Sequence, residues 1–161
     1  MILVSACLLG ETCKYDGGSN LCPQVIGYLQ GRDYIAVCPE ALGGLPVPRP
    51  PAELQGGDGE SFWAGKAAVV NRRGADVSAQ FAAGAEAVLQ ICRAHAVELA
   101  ILKESSPSCG SSRVYDGSFC HKAIAGSGVC AALLRQNGVP VVSEKTLPGA
   151  EDEPSQKHIE P

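Results

Sequence analysis

The chain alternates short runs of β-branched and aliphatic residues with longer amphipathic stretches, and this alternation restricts its fold more than any other feature. Ile2 to Ala6, Tyr34 to Val37, Val97 to Leu102 and Val139 to Ser143 read as buried strands, with Lys66 to Asn71 as a weaker fifth. Between them, residues 20–29, 78–95 and 126–137 read as helices. In the middle helix Phe81, Ala85, Val88, Leu89 and Cys92 recur at helical spacing and form one apolar stripe. Ser78 is its expected N-cap, and Gly138 is expected to end the last helix in the left-handed conformation. Short apolar strands separated by helices imply an α/β fold: a mainly parallel sheet of about five strands with helices on both faces, a Rossmann-like three-layer sandwich.

A length of 161 residues suits one domain. That single α/β domain is expected over residues 1–147. Residues 148–161 carry four acids against Lys157 and include Pro154 and Pro161, the composition of a flexible acidic tail. Residues 43–65 hold Pro46, Pro48, Pro50 and Pro51 followed by four glycines, and are expected to form a long irregular loop that presents Arg49 rigidly between prolines.

The formal charge is −4, of which the tail contributes −3, so the body is nearly neutral. With no basic run and only eight aromatic residues, the chain has no electrostatic footprint for nucleic acid. No apolar stretch approaches the length of a membrane span, and the first residues lack the basic start and long apolar run of a signal peptide. A cytoplasmic protein with a small-molecule partner is expected, and its eight cysteines are expected to be reduced thiols.

Ligands of open α/β sheets bind at the carboxyl ends of the strands, which separates those cysteines by position. Cys7 follows the first strand, Cys38 the second, and Cys109 lies in the loop leaving the strand that ends at Leu102. Cys92 and Cys130 fall on apolar helix stripes and read as core; Cys22 at a helix start and Cys120 in a turn read as structural, with Cys13 intermediate. Three unrelated apolar cysteines would give the same hydropathy, but a shared sheet edge is better explained by a shared ligand. No Cys-x-x-Cys occurs and no histidine lies in these loops, which disfavours a zinc ribbon, a thioredoxin-type pair or a Cys–His dyad. Thiolate-only ligation suits an iron–sulfur cluster, and three thiolates on a [4Fe–4S] cluster leave one iron open as a Lewis acid. Glu40, in Cys38-Pro-Glu, is placed to move protons, and Ser106 and Ser108 crowd Cys109. Asp16 and Asp116, each in Tyr-Asp-Gly, read as turn formers.

These residues also carry a resemblance. Val4-Ser-Ala-Cys-Leu-Leu-Gly10 with Cys13-Lys-Tyr-Asp-Gly17, then Cys38-Pro-Glu40, Pro48-Arg-Pro-Pro51 and Ser106-Pro-Ser-Cys-Gly110, in this order, resemble the 2-thiouracil desulfidase family from about residue 1 to 144. The resemblance implies a [4Fe–4S] enzyme that removes sulfur from thiolated pyrimidines such as 2-thiouracil without net electron transfer, releasing hydrogen sulfide. It puts the cluster on Cys7, Cys38 and Cys109, the set chosen by strand position, and the assisting acid and hydroxyl on Glu40 and Ser106. Ser108, Lys103 and Arg49 are the expected substrate contacts.

Two other readings compete. Gly126-Ser-Gly-Val-Cys-Ala131, with Glu144 some way beyond, fits a dinucleotide-binding turn or a small-anion site, although the segment before Gly126 hardly reads as a buried strand. A non-catalytic metal or thiol-storage module would use the same cysteines, with no need for Glu40, the serines or a covering loop.

Overall fold

The computed structural model describes residues 1–147; the expected tail, 148–161, lies outside the described residues. Four strands form a parallel sheet: β1 (Ile2–Ser5), β2 (Tyr34–Val37), β5 (Leu99–Leu102) and β8 (Val141–Ser143), in the order β2-β1-β5-β8. These are four of the five runs read as strands. Their side chains alternate between two apolar layers. Leu3, Ala100 and Leu102 pack with Phe81, Val88 and Leu89 of α4 (Ser78–Ala94) and with Val129, Cys130 and Leu134 of α5 (Val129–Gln136). Ile2, Val4 and Ile101 point the other way, against Leu8, Leu147 and, from α1 (Pro23–Leu29), Val25 and Leu29. The α/β sandwich with helices on both faces is therefore observed.

The fifth expected strand goes elsewhere. Ala68–Asn71, β4, pairs antiparallel with β3 (Ala52–Gln55), so the parallel sheet has four strands and not five. The physical reason is a partner that local pattern cannot reveal: β3 is a four-residue segment within the stretch read as irregular. α2 (Pro39–Leu42) directly precedes that stretch, and α3 (Gly59–Trp63) lies within it. Asp58 caps α3 by accepting the Ser61 amide at 3.1 Å, and its other oxygen accepts the Ser127 amide at 3.2 Å, tying the segment down. Ser78 is the first residue of α4, not its cap. Asp76 accepts the Ser78 amide at 2.8 Å, leaving the Ser78 hydroxyl to accept the Val69 amide at 2.9 Å and fasten the helix to β4. Gly138 takes the expected left-handed conformation, with φ of 83°.

Register brings the strand ends level: Ser5 lies beside Val37, and Val4 beside Ile101. The chain leaves β1 toward β2 on one side and later leaves β5 toward β8 on the other, so β1 and β5 flank the switch point where α/β proteins place ligands. A second hairpin, β6 (Arg113–Tyr115) with β7 (Ala123–Ala125), stands beside this edge.

Candidate active site

Beyond β1 the chain makes one tight 3-10 turn, Ala6–Leu9, which carries Cys7. The Asn20 amide donates to Cys7 O at 2.9 Å and the Cys22 amide to Leu8 O at 2.8 Å, folding the intervening loop back so that Cys13 lies by Cys7. Cys38 is the cap residue of α2, with Pro39 preset for the first helical position and Glu40 in the first turn. The Pro46–Pro51 segment then returns Arg49 to the same place. Its amide donates to Tyr15 O at 2.7 Å, and its buried guanidinium donates to Glu40 Oε1 at 3.2 Å, Cys13 O at 2.9 Å and Pro46 O at 3.2 Å.

The third loop is organised by Glu104, which sequence reasoning missed. Its buried carboxylate accepts the amides of Ser111, Ser112 and Arg113 at 2.9–3.0 Å and the hydroxyls of Ser111 and Ser112 at 2.9 and 3.0 Å. Burial by itself raises the pKa of this acid, but the Ser112 and Arg113 amides and the two hydroxyls outweigh it and hold the pKa at about 2. An acid followed by small hydrogen-bond donors is the one signal in the sequence, and it carries no periodicity. Within the loop, Ser106 Oγ accepts the amides of Ser108 and Cys109 at 3.2 and 3.1 Å. The loop carbonyls cover the start of α5: the amides of Gly128, Val129 and Cys130 donate to Gly110 O, Pro107 O and Ser108 O, each at 2.8 Å.

This arrangement overturns the dinucleotide and anion readings of Gly126 to Ala131. The first amides of α5, which would bind phosphate, are already paired with the Cys109 loop, and the strand before Gly126 belongs to an antiparallel hairpin. Gly128 is required for close approach, since a Cβ there would lie 2.5 Å from the carbonyl carbon of Ser108.

The three loops enclose a cavity of about 370 Å³ lined by Cys7, Cys13, Cys38 and Cys109, by Glu40 and Arg49, and by Lys103 with Ser105, Ser106 and Ser108. All the residues singled out from sequence as ligands, acid, hydroxyl or substrate contacts thus meet in one place. Cys92 and Cys130 are buried in the helix layer, and Cys22 and Cys120 lie outside the cavity lining. Asp16 and Asp116 form turns, accepting the amides of Gly18 and Ser118. Ser108 donates to Glu40 Oε2 at 3.2 Å and lies 3.5 Å from Cys109 Sγ, with Ser106 Oγ 3.0 Å behind it. Ser108, rather than Ser106, is therefore the hydroxyl against the acid. Arg49 holds Glu40 through Nε and the Cys13 loop through Nη2, while Nη1 donates to Pro46 O in its own segment. Lys103 lies at the cavity between Glu104 O at 2.8 Å and Glu144 Oε1 at 3.3 Å.

The thiols differ in character. Cys13 hydrogen-bonds Cys38 and Cys7, which lowers Cys7 to about 7 and, with help from the Ala41 amide, Cys38 to about 6; Cys13 itself is raised. Burial pushes Cys109 up to about 12. The walls also include Tyr15, Tyr115, Phe119 and His121, which the sequence reading did not place there; the histidine comes from the β6–β7 turn and not from the loops of Cys7, Cys38 or Cys109.

The model of the family described as 2-thiouracil desulfurase matches residues 2–146, nearly the whole chain. The chain belongs to this family. Among solved structures, the [4Fe–4S]-dependent thiouracil desulfidase TudS is 46% identical and superposes with a TM-score of 0.77, covering 93% of this chain and 94% of its own. The uncharacterized protein YbbK of Bacillus subtilis (strain 168) is 44% identical over 147 residues, 91% of this chain and 97% of YbbK. The desulfurase match spans the sheet, the three cysteine loops and the β6–β7 hairpin alike.

Proposed function

We propose that the chain converts a thiolated pyrimidine such as 2-thiouracil to uracil and hydrogen sulfide, using a [4Fe–4S] cluster held by Cys7, Cys38 and Cys109. The observation that carries this reading is the meeting of three thiols, one from each of three strand ends, with a paired acid and hydroxyl in one cavity. The donor chemistry fits the cluster. Cys7 and Cys38 have lowered pKa values and so favour the thiolate form that metals bind, whereas buried Cys109 has a raised one and needs a nearby cation to ionise. Among the described residues no three His, Cys, Asp or Glu side chains are drawn tightly enough together to hold a single ion. The donors are soft sulfurs distributed around a cavity, an arrangement suited to a polynuclear iron–sulfur group.

When bound, the cluster supplies an open iron that polarises the substrate's thiocarbonyl sulfur as a Lewis acid. Glu40 takes a proton from the water that adds to the thiocarbonyl carbon and returns it to the departing sulfur. The balance is one thiocarbonyl and one water to one carbonyl and one hydrogen sulfide, with no electron gained or lost. Arg49 fixes one carboxylate oxygen of Glu40, so the other is aimed through Ser108 toward Cys109. Ser106 holds the backbone of that loop, and Ser108 and Lys103 supply hydrogen bonds to the ring's oxygen and nitrogen atoms. A thiol-storage module would not need this acid–hydroxyl pair. No helix among the described residues is long and apolar enough to cross a membrane. Eight free cysteines fit the reducing cytoplasm.

The test is anaerobic purification followed by iron, sulfide and product analysis. Brown protein with about four irons and four sulfides per chain, releasing sulfide and uracil from 2-thiouracil in equal amounts, is expected. Cys7→Ser, Cys38→Ser and Cys109→Ser should each lose iron, while Cys92→Ser, in the helix layer, should keep it and lose stability. Colourless zinc protein, or iron-loaded protein that releases no sulfide, would overturn the reading.

A further inference from the structure

The turn between β6 and β7 is held in a conformation that its residues do not favour, and it lines the cavity. Phe119 and His121 both have left-handed backbone, with φ of 58° and 57°, a region that histidine, asparagine and aspartate enter more readily than other side chains, so the strain falls on Phe119. The surrounding structure maintains this strain. Glu53, on β3, accepts the amides of Gly117 and Phe119 at 3.0 and 3.1 Å; Gln55 donates to Gly117 O at 3.1 Å; and Asp116 accepts the Ser118 amide and hydroxyl at 2.9 and 2.6 Å. The Asp116 amide closes the turn on Lys122 O at 2.9 Å. Between these two residues Cys120 is exposed and outside the cavity lining, whereas half-buried Phe119 and exposed His121 contribute to it together with Tyr115. The His121 and Tyr115 rings meet edge to face at 6.1 Å, and the Arg72 guanidinium lies 5.8 Å from the Phe119 ring centre.

We propose that Tyr115, Phe119 and His121 form an aromatic wall that determines substrate specificity: it holds the flat heteroaromatic ring of the substrate while the thiocarbonyl reaches the cysteine side of the same cavity. The thiols, Glu40 and Ser108 can act on a C=S bond but carry no aromatic face against which a planar ring can lie; on their side of the cavity the lining includes one ring, that of Tyr15 beside Cys13, against three on the hairpin. The three rings supply that face, from a hairpin separate from the cysteine loops. Strand β3, through Glu53 and Gln55, fixes the hairpin's distance from the rest of the site. Strained backbone at Phe119, in a turn that places two rings at a cavity, is of the kind that clusters at ligand-holding segments. The inference rests on the desulfidase reading for the identity of the ring, and it assigns the choice of planar substrates to the hairpin.

The test uses substitutions chosen for the backbone. Phe119→Gly and His121→Asn suit left-handed φ and remove a ring without adding strain, so both variants should be at least as stable as the parent. On iron-loaded protein, uracil affinity is measured as the constant for inhibition and by calorimetry, and 2-thiouracil turnover is resolved into kcat and KM. Stacking of a base on an aromatic residue is expected to make Phe119→Gly weaker by about 10- to 100-fold in uracil affinity and kcat/KM, mostly through KM, with iron content unchanged. Phe119→Tyr should retain parental behaviour. Unchanged uracil affinity in both ring-removing variants, a parent that binds no uracil, or loss of iron from Phe119→Gly would each overturn the wall. A parent that binds uracil through Phe119 yet releases no sulfide from 2-thiouracil would overturn the desulfidase reading alone.

Discussion

Glu40 is restrained at both carboxylate oxygens: Oε1 receives the Arg49 guanidinium at 3.2 Å and Oε2 the Ser108 hydroxyl at 3.2 Å. An ion pair this enclosed, with Arg49 almost wholly buried, fixes the rotamer of the acid more firmly than a surface pair could. Glu40→Gln keeps the size and one hydrogen-bonding oxygen but cannot accept and return a proton. Iron content should therefore be nearly unchanged while kcat for 2-thiouracil falls by about 10²- to 10⁴-fold, the usual contribution of a general base. Anaerobic turnover beside iron analysis reads both; parental kcat would remove Glu40 from the proton path and leave Ser108 and Lys103 as the groups to examine.

Among the elements, α2 has only four residues yet carries Glu40 in its first turn and Cys38 at its cap. Its seat is a glycine contact with α4: a Cβ on Gly84 would lie 1.9 Å from Pro39 O, an overlap that backbone movement alone could relieve. Gly84→Ala should push α2 away from α4, costing about 1–3 kcal/mol by overpacking and lowering both iron content and turnover. Gly27→Ala, on α1 where a Cβ meets nothing within 4 Å, is the control and should be neutral or stabilising. Melting temperature, iron content and turnover for the two variants check this, and equal iron loss in both would contradict it. The strands β1, β2, β5 and β8 were legible in the sequence because buried parallel strands are continuous apolar runs. That Cys7, Cys38 and Cys109 meet at one cavity was legible because loops at one sheet edge can be counted off from those runs. The pairing of β3 with β4, the role of Glu104 and the Phe119 turn were not, because each depends on partners far along the chain, such as Glu53 reaching Gly117 and Phe119, that leave no local pattern.

For the whole molecule, the Glu104 cluster predicts how the fold responds to acid. Its folded pKa, about 2, lies below its ordinary 4.5, so the carboxylate contributes stability above about pH 4.5 that is lost as pH falls toward 2. Compared with Glu104→Gln, the parent should be clearly more stable at neutral pH, and the gap should close between pH 4.5 and 2. Urea unfolding of both proteins at several pH values, with the cluster removed because acid also releases iron, measures it; a gap independent of pH would contradict it. The covering of the α5 amides by the Cys109 loop has a further consequence, for the order in which the site can be made. A nascent chain that has emerged only as far as Gly110 already contains all three proposed ligands, yet the amides that donate to the carbonyls of Pro107, Ser108 and Gly110 have not emerged. The last loop therefore sets only after Gly128 to Ala131 have emerged and begun their helix, so the geometry around Cys109 is completed by residues that follow it in the chain.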